Sequence, residues 1–224
     1  MLTIETARSW YPASDPVHGF DHVLRVYRIA ERLAQAEGAD LEIVRAAVLL
    51  HDAVLLHDAA LLHDAGGSAI GNAAGRLSHQ HASAEFALQV LLADGWPDER
   101  IAAVQHCIRA HRFRDDTEQP ETLEARVLFD ADKLDAIGAI GVARAIAYAA
   151  LDGQPAYAEP SASFLETGRK EPSEPHSSYH EYLFKLRKLS QLLYTPSARR
   201  LAAGRHQFMT EFYVQLAAEL QGER

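Results

Sequence analysis

The chain has 224 residues, 48% hydrophobic and 24% charged, which is enough apolar content for a real core and excludes an intrinsically disordered chain. Its 22 basic and 31 acidic residues give a formal charge of -9 with no basic block, so binding to a nucleic-acid duplex is disfavoured and cations are welcome. Cys107 is the single cysteine, which excludes an internal disulfide framework. Met1-Leu2-Thr3-Ile4-Glu5 lacks a basic region followed by an apolar run, and no stretch has the length of a membrane span. The expected setting is the cytoplasm, without membrane contact.

Residues 1 to 14 read as a lead-in, with Trp10 and Tyr11 placed to pack on the first long helix. Asp15-Pro16 joins an N-cap acceptor to a proline at the first helical position and predicts a helix to about Gly38. Phe20, Val23, Leu24, Tyr27, Ala30 and Ala34 recur along it at spacings of three and four. His18 and His22 share one flank, with Arg25 three residues further on. Asp40 can cap a second helix, whose Ile43, Ala46, Ala47 and Leu50 lead into a repeat.

That repeat is Leu49-Leu50-His51-Asp52-Ala53, which recurs from Leu55 to Ala59 and from Leu61 to Ala65 before Gly66-Gly67. A step of six residues turns an α-helix by about 240°, so the three His-Asp pairs point in three directions and only one can face a given partner. Leucine pairs on every side also require this stretch to be buried all round or interrupted. One copy is therefore read as functional and residues 54–65 as an insertion.

Gly71, Asn72 and Gly75 predict a loop, followed by Ser78, His79 and His81 and a helix from about Ser83 to Ala93. Asp98 opens the next helix, with Ile101, Val104 and Ile108 inward and His106 and His111 near its end. Residues 112–121 form a polar loop, after which Thr122 can cap a helix carrying Asp130, Asp132, Lys133 and Asp135. This helix is expected to continue through Gly138-Ala139-Ile140-Gly141. Asp132 and Asp135 share a face at the edge of the core, with Asp130 turned about 160° away from Asp132. A carboxylate there needs a partner, either a metal ion or a neighbouring arginine.

Residues 154–176 are rich in Pro, Ser and Glu and are expected to be a lid, a subunit-contact loop or disordered. Tyr179 to Leu193 is amphipathic, with Tyr182, Leu186, Leu189 and Leu193 inward. Thr195-Pro196 opens a last helix to about Leu220, whose apolar character could support a homodimer. The expected fold is all-α, a single helical domain over residues 1–224.

A His followed directly by an Asp offers a nitrogen and an oxygen ligand from one turn of helix, which suits a borderline divalent cation such as Mn, Fe, Co, Ni or Zn. A His on the first long helix, His-Asp on the second and Ala131-Asp132-Lys133-Leu134 on a later one form an ordered set. This set resembles the HD superfamily of metal-dependent phosphohydrolases. The resemblance covers nearly the whole chain. His18-Gly19-Phe20-Asp21-His22-Val23-Leu24-Arg25-Val26, the run from Phe129 to Gly141, and the tail from Tyr182 to Leu186 through Ala202, Arg205 and Phe212 are similar to the small stand-alone bacterial HD proteins, some of which hydrolyse nucleotides.

The resemblance implies an HD-type helical bundle whose ligands to a divalent ion (Mn, Mg, Fe, Co, Ni or Zn) are His22, one His-Asp pair and Asp132. His51 and Asp52 are preferred, because they keep the connection to the helix of His22 short and push the extra residues into the Gly-rich loop. His63 and Asp64 come next, and His57 and Asp58 last. The implied reaction is attack by metal-activated water on a small phosphorylated substrate such as a nucleotide. Asp52 would orient or deprotonate the water. Lys133, His18, His79 and His106 would bind phosphate or protonate the leaving group, and Asp135 would bind a sugar hydroxyl or hold a ligand in place. Two alternatives stay open. One is a di-iron oxygenase of the HD type, with a second metal through His79, His81, His106 or His111. The other is an HD protein inactivated by the repeat and left as a nucleotide-binding module.

Overall fold

The structure, a computed structural model, describes residues 1–11, 19–53, 73–112 and 118–223, with residues 73–78 as backbone. The expectations for Asp15-Pro16, His18, the His57-Asp58 and His63-Asp64 copies, the 54–65 insertion and Gly66-Gly67 lie outside the described residues. Every element among the described residues is helical, so the chain is all-α as expected. It divides into two compact units, Met1–Asp132 and Lys133–Arg224.

The first unit is arranged around α3 (Leu41–Leu50), which touches α1 (Ile4–Arg8), α2 (Phe20–Glu37), α4 (Ala73–Ala93) and α5 (Asp98–Ala110). Ile43, Val44, Ala46, Ala47, Val48, Leu49 and Leu50 are all buried, which is what apolar residues on every side of a helix demand. Asp40 starts α3 by accepting from the amides of Glu42 and Ile43, and its carboxylate is held in turn by Arg100 at 3.0 and 3.1 Å. α2 begins after Gly19 without a side-chain cap and ends where Gly38 turns left-handed, at φ 81°. Its inward face is Phe20, His22, Val23, Val26, Ile29, Ala30, Leu33 and Ala34. Tyr11 packs on Phe20 as expected, whereas Trp10 meets Phe86 of α4 at 5.2 Å between ring centres.

α4 starts at Ala73, ten residues before the predicted Ser83, and so takes in Gly75, Ser78, His79 and His81. A glycine costs a helix only about 1 kcal/mol relative to alanine, and tertiary packing overrides a propensity of that size. α4 as a whole packs against α3 and α5. α6 (Leu123–Asp135) begins as expected at Thr122, whose hydroxyl accepts from the Ala125 amide.

In the second unit the helix predicted to run on through Gly138 is broken. Ile137 is the N-cap of a new helix, α7 (Gly138–Leu151). Gly138 has φ +77°, and a Cβ there would come within 2.9 Å of the Arg205 Cβ, so both conformation and close packing against α10 (Pro196–Leu220) call for glycine.

Residues 154–176 hold a short helix, α8 (Ala162–Thr167), rather than an open loop. Glu174 fastens the segment by accepting from the Ser161 amide and hydroxyl, the Glu171 amide and His180. The predicted amphipathic stretch splits into α9 (Ser178–Phe184) and a 3₁₀ turn (Leu186–Gln191), and Tyr182, Leu186, Leu189 and Leu193 are inward as expected. No single helix among the described residues is long and apolar enough to cross a membrane.

Candidate metal centre

Two helices of the first unit end in a histidine that folds back on its own last turn. His51 is the C-cap of α3, and its Nδ1 donates to the Val48 carbonyl at 2.7 Å. His111 is the C-cap of α5, and its Nδ1 donates to the Ile108 carbonyl. A carbonyl can only accept, so in each neutral ring the proton sits on Nδ1 and Nε2 presents a lone pair. The exposed carbonyls of a helix end thus serve as the device that aims a ligand nitrogen.

Both lone pairs face Asp52. His51 Nε2 lies 3.5 Å from Oδ2 and His111 Nε2 lies 3.8 Å from Oδ1. His22, from α2, brings its Nε2 to 3.9 Å from Asp52 Oδ2 and 3.5 Å from Asp132 Oδ1, while His79, from α4, stands 3.3 Å from Asp52 Oδ1. Two groups of ligand atoms result, His22-His51-Asp52 and Asp52-His79-His111, each with all its atoms within 4.8 Å of one another. Asp52 belongs to both. The rings form a continuous file, with centres 5.7 Å apart for His22 and His51, 5.2 Å for His51 and His111, and 5.4 Å for His111 and His79.

This cluster fits a divalent cation. His51 is fully buried and its Nε2 makes no hydrogen bond, so a desolvated lone pair confronts a carboxylate oxygen. Two acceptors at 3.5 Å repel unless a cation lies between them. Burial alone would raise the Asp52 carboxyl, yet His51, His79 and His111, when protonated in place of a bound cation, together with the hydrogen bond with His79, hold it well below the usual carboxylate range. The pocket is therefore built for an ionised Asp52 with positive charge beside it.

His22, His51, Asp52 and Asp132 are brought together, with Asp132 at the edge of the core as anticipated and 20% exposed. His79, expected to meet phosphate, stands against Asp52 with His111. His106 is engaged elsewhere: Nδ1 pairs with Glu118 at 2.6 Å, Nε2 accepts from the Glu121 amide, and Arg109 grips the same carboxylate. His81 is exposed.

Lys133 and Asp135 open the second unit. Lys133 is buried, and Asp135 accepts from Arg144 at 2.7 Å. The arrangement also relies on Tyr11, whose buried hydroxyl donates to the Leu49 carbonyl at 3.1 Å, just before α3 ends at the His-Asp pair. No local motif in the sequence marks that role.

Comparison with known proteins identifies the family of this chain. The HD domain family matches residues 19–137, a span that contains every residue of the cluster. The uncharacterized protein YpgQ of Bacillus subtilis strain 168 is 31% identical over 97% of this chain and 94% of its own length. A crystal structure from Lactobacillus plantarum has a TM-score of 0.73 at 30% identity, covering 99% of this chain and 100% of that one. The crystal structure of YpgQ in complex with ADP has a TM-score of 0.66 at 28% identity, covering 99% and 100%. An HD-superfamily hydrolase from Bacillus thuringiensis gives 0.64 at 27%, covering 97% and 96%. The chain belongs to the HD domain family and has the HD-superfamily hydrolase fold. HD domains bind divalent metals, and the His/Asp groups described here can hold one.

Proposed function

We propose that this protein is a metal-dependent phosphohydrolase acting on a nucleotide or a related small phosphate ester or anhydride. His22, His51, Asp52 and Asp132 would hold one divalent ion, while Asp52, His79 and His111 would hold a second. The observation that carries this reading is the unsatisfied, buried Nε2 of His51 aimed at the Asp52 carboxylate. The related YpgQ, crystallised with ADP, supports a nucleotide as the ligand class.

A bound divalent ion supplies a water of lowered pKa and neutralises charge on a phosphoryl group. The chain's own contribution is to fix the ligands. Two helix ends lock the tautomers of His51 and His111, and Asp52 is kept ionised to hold cations and orient a water. Lys133 follows Asp132 directly along α6 and is the cation proposed to meet phosphate. Asp135, already bound by Arg144, is assigned to this ion pair within the second unit rather than to the reaction.

The sharing of Asp52 between two groups also favours a second reading, an HD-type di-iron oxygenase. One set of measurements separates them. The manganese-loaded protein is expected to release phosphate or pyrophosphate from a nucleotide panel. His22→Ala and Asp132→Ala are expected to abolish that release while circular dichroism stays unchanged. Full turnover in either variant rejects the ligand assignment. Oxygen uptake with a visible spectrum in the iron-loaded protein, and no phosphate release with any metal, establishes the oxygenase instead.

A further inference from the structure

His79 and His111 come from different helices, so the separation of their Nε2 atoms depends on how α4 and α5 are held together. The pairs His79 with His111, Gln80 with Arg112 and Ala84 with Gln105 show that the two helices run antiparallel. The residue directly after each histidine takes part in one bond: Arg112 Nη1 donates to Gln80 Oε1 at 3.2 Å. Gln80 is fully buried, where an amide oxygen needs a donor, and Arg112 is half-buried just beyond the end of α5. The bond from Gln105 Nε2 to the Ala84 carbonyl, at 3.0 Å, lies about one turn further along α4.

We propose that Gln80 and Arg112 are a positioning pair that sets the bite of His79 and His111 and so governs uptake of the second ion. This rests on the two-ion form of the function proposed above. A charge-assisted bond one residue from each ligand fixes the register of α4 against α5 at the level of the two rings. His111 is already locked in rotation by Ile108, so a slip between the helices would act on the distance from His79 Nε2 to Asp52. The other ligands of the first ion, His22, His51 and Asp132, sit on α2, at the end of α3 and on α6, outside the two helices that this bond ties. The effect is therefore confined to one of the two ions. Partners that orient metal ligands typically change affinity by about 10- to 100-fold.

The test is a manganese titration of the full chain by calorimetry, with electron paramagnetic resonance to distinguish isolated ions from coupled pairs. The wild type is expected to take up two ions. Gln80→Leu and Arg112→Leu should each leave the first ion within about twofold and weaken the second by about 10- to 100-fold, and the double variant should be no worse than either. Gln80→Glu, which keeps an acceptor for the guanidinium, should restore the coupled signal. Arg112→Leu changes a half-exposed position and keeps the question answerable if Gln80→Leu folds poorly. Two ions bound with wild-type affinity in both variants overturns the positioning pair and leaves the two-ion reading intact. Equal weakening of both ions also overturns it, as a general loosening. A single ion per wild-type chain overturns the pair and the two-ion reading together.

Discussion

Asp52→Asn is the perturbation that most sharply tests the shared carboxylate. Asparagine keeps the shape of the side chain and can still accept at Oδ1, but it removes the charge that four imidazoles face at 3.3, 3.5, 3.8 and 3.9 Å. At an effective dielectric of about 20, a unit charge at ~3.5 Å from another is worth about 5 kcal/mol, and roughly twice that against a divalent ion. The amide oxygen recovers part of this. A net loss of at least about 4 kcal/mol is expected, on the order of a thousandfold in metal affinity.

Because Asp52 belongs to both ligand groups, both ions should be lost together, whereas His79→Ala should cost only the second. The assay is the manganese dependence of the melting temperature beside direct titration. At a concentration 100 times its dissociation constant, an ion that binds only the folded state adds about 2.7 kcal/mol of stability. The wild type should show that rise and Asp52→Asn should not. A variant that keeps the rise, with affinity within tenfold of wild type, would refute the reasoning.

Tyr11→Phe removes the buried donor from the Leu49 carbonyl and should lower stability by about 1–2 kcal/mol in urea unfolding, with weaker metal uptake because the end of α3 is loosened. No change in either quantity removes Tyr11 from the support of the site. In the second unit, burial opposes ionisation of Glu181, but the hydrogen bond from His176 and the charge of Lys185 bring it down to about 2. The folded value lies below the unfolded one, so this contribution is fully present above about pH 4.5 and is lost as pH falls towards 2. Glu181→Gln should therefore cost roughly 2–3 kcal/mol near pH 6 and nothing near pH 2. A cost that persists unchanged at pH 2 contradicts the charge-based account.

Several elements were legible because their signals are local. Asp40 capping α3, Gly38 closing α2 and Thr195 opening α10 each act through backbone groups within a few residues of themselves. The misreadings share a cause. Gly75 suggested a loop because its cost is visible in the sequence, whereas the packing of α4 that outweighs it is not. Gly138 looked compatible with a continuous helix because neither its positive φ nor the approach of Arg205 is written in its neighbours.

The ordered motif was sufficient by itself to determine an all-α HD protein and to nominate His22, His51, Asp52 and Asp132, since each ligand announces itself by residue type and by place on a predicted helix. Only the tertiary structure decided that His79 and His111 share Asp52, that His106 is occupied by Glu118, and that Tyr11 supports the end of α3. Those outcomes depend on which helix faces meet. Two histidines separated by more than thirty residues become neighbours only through the register in which α4 and α5 pack, a property of the folded assembly of side chains rather than of either segment alone.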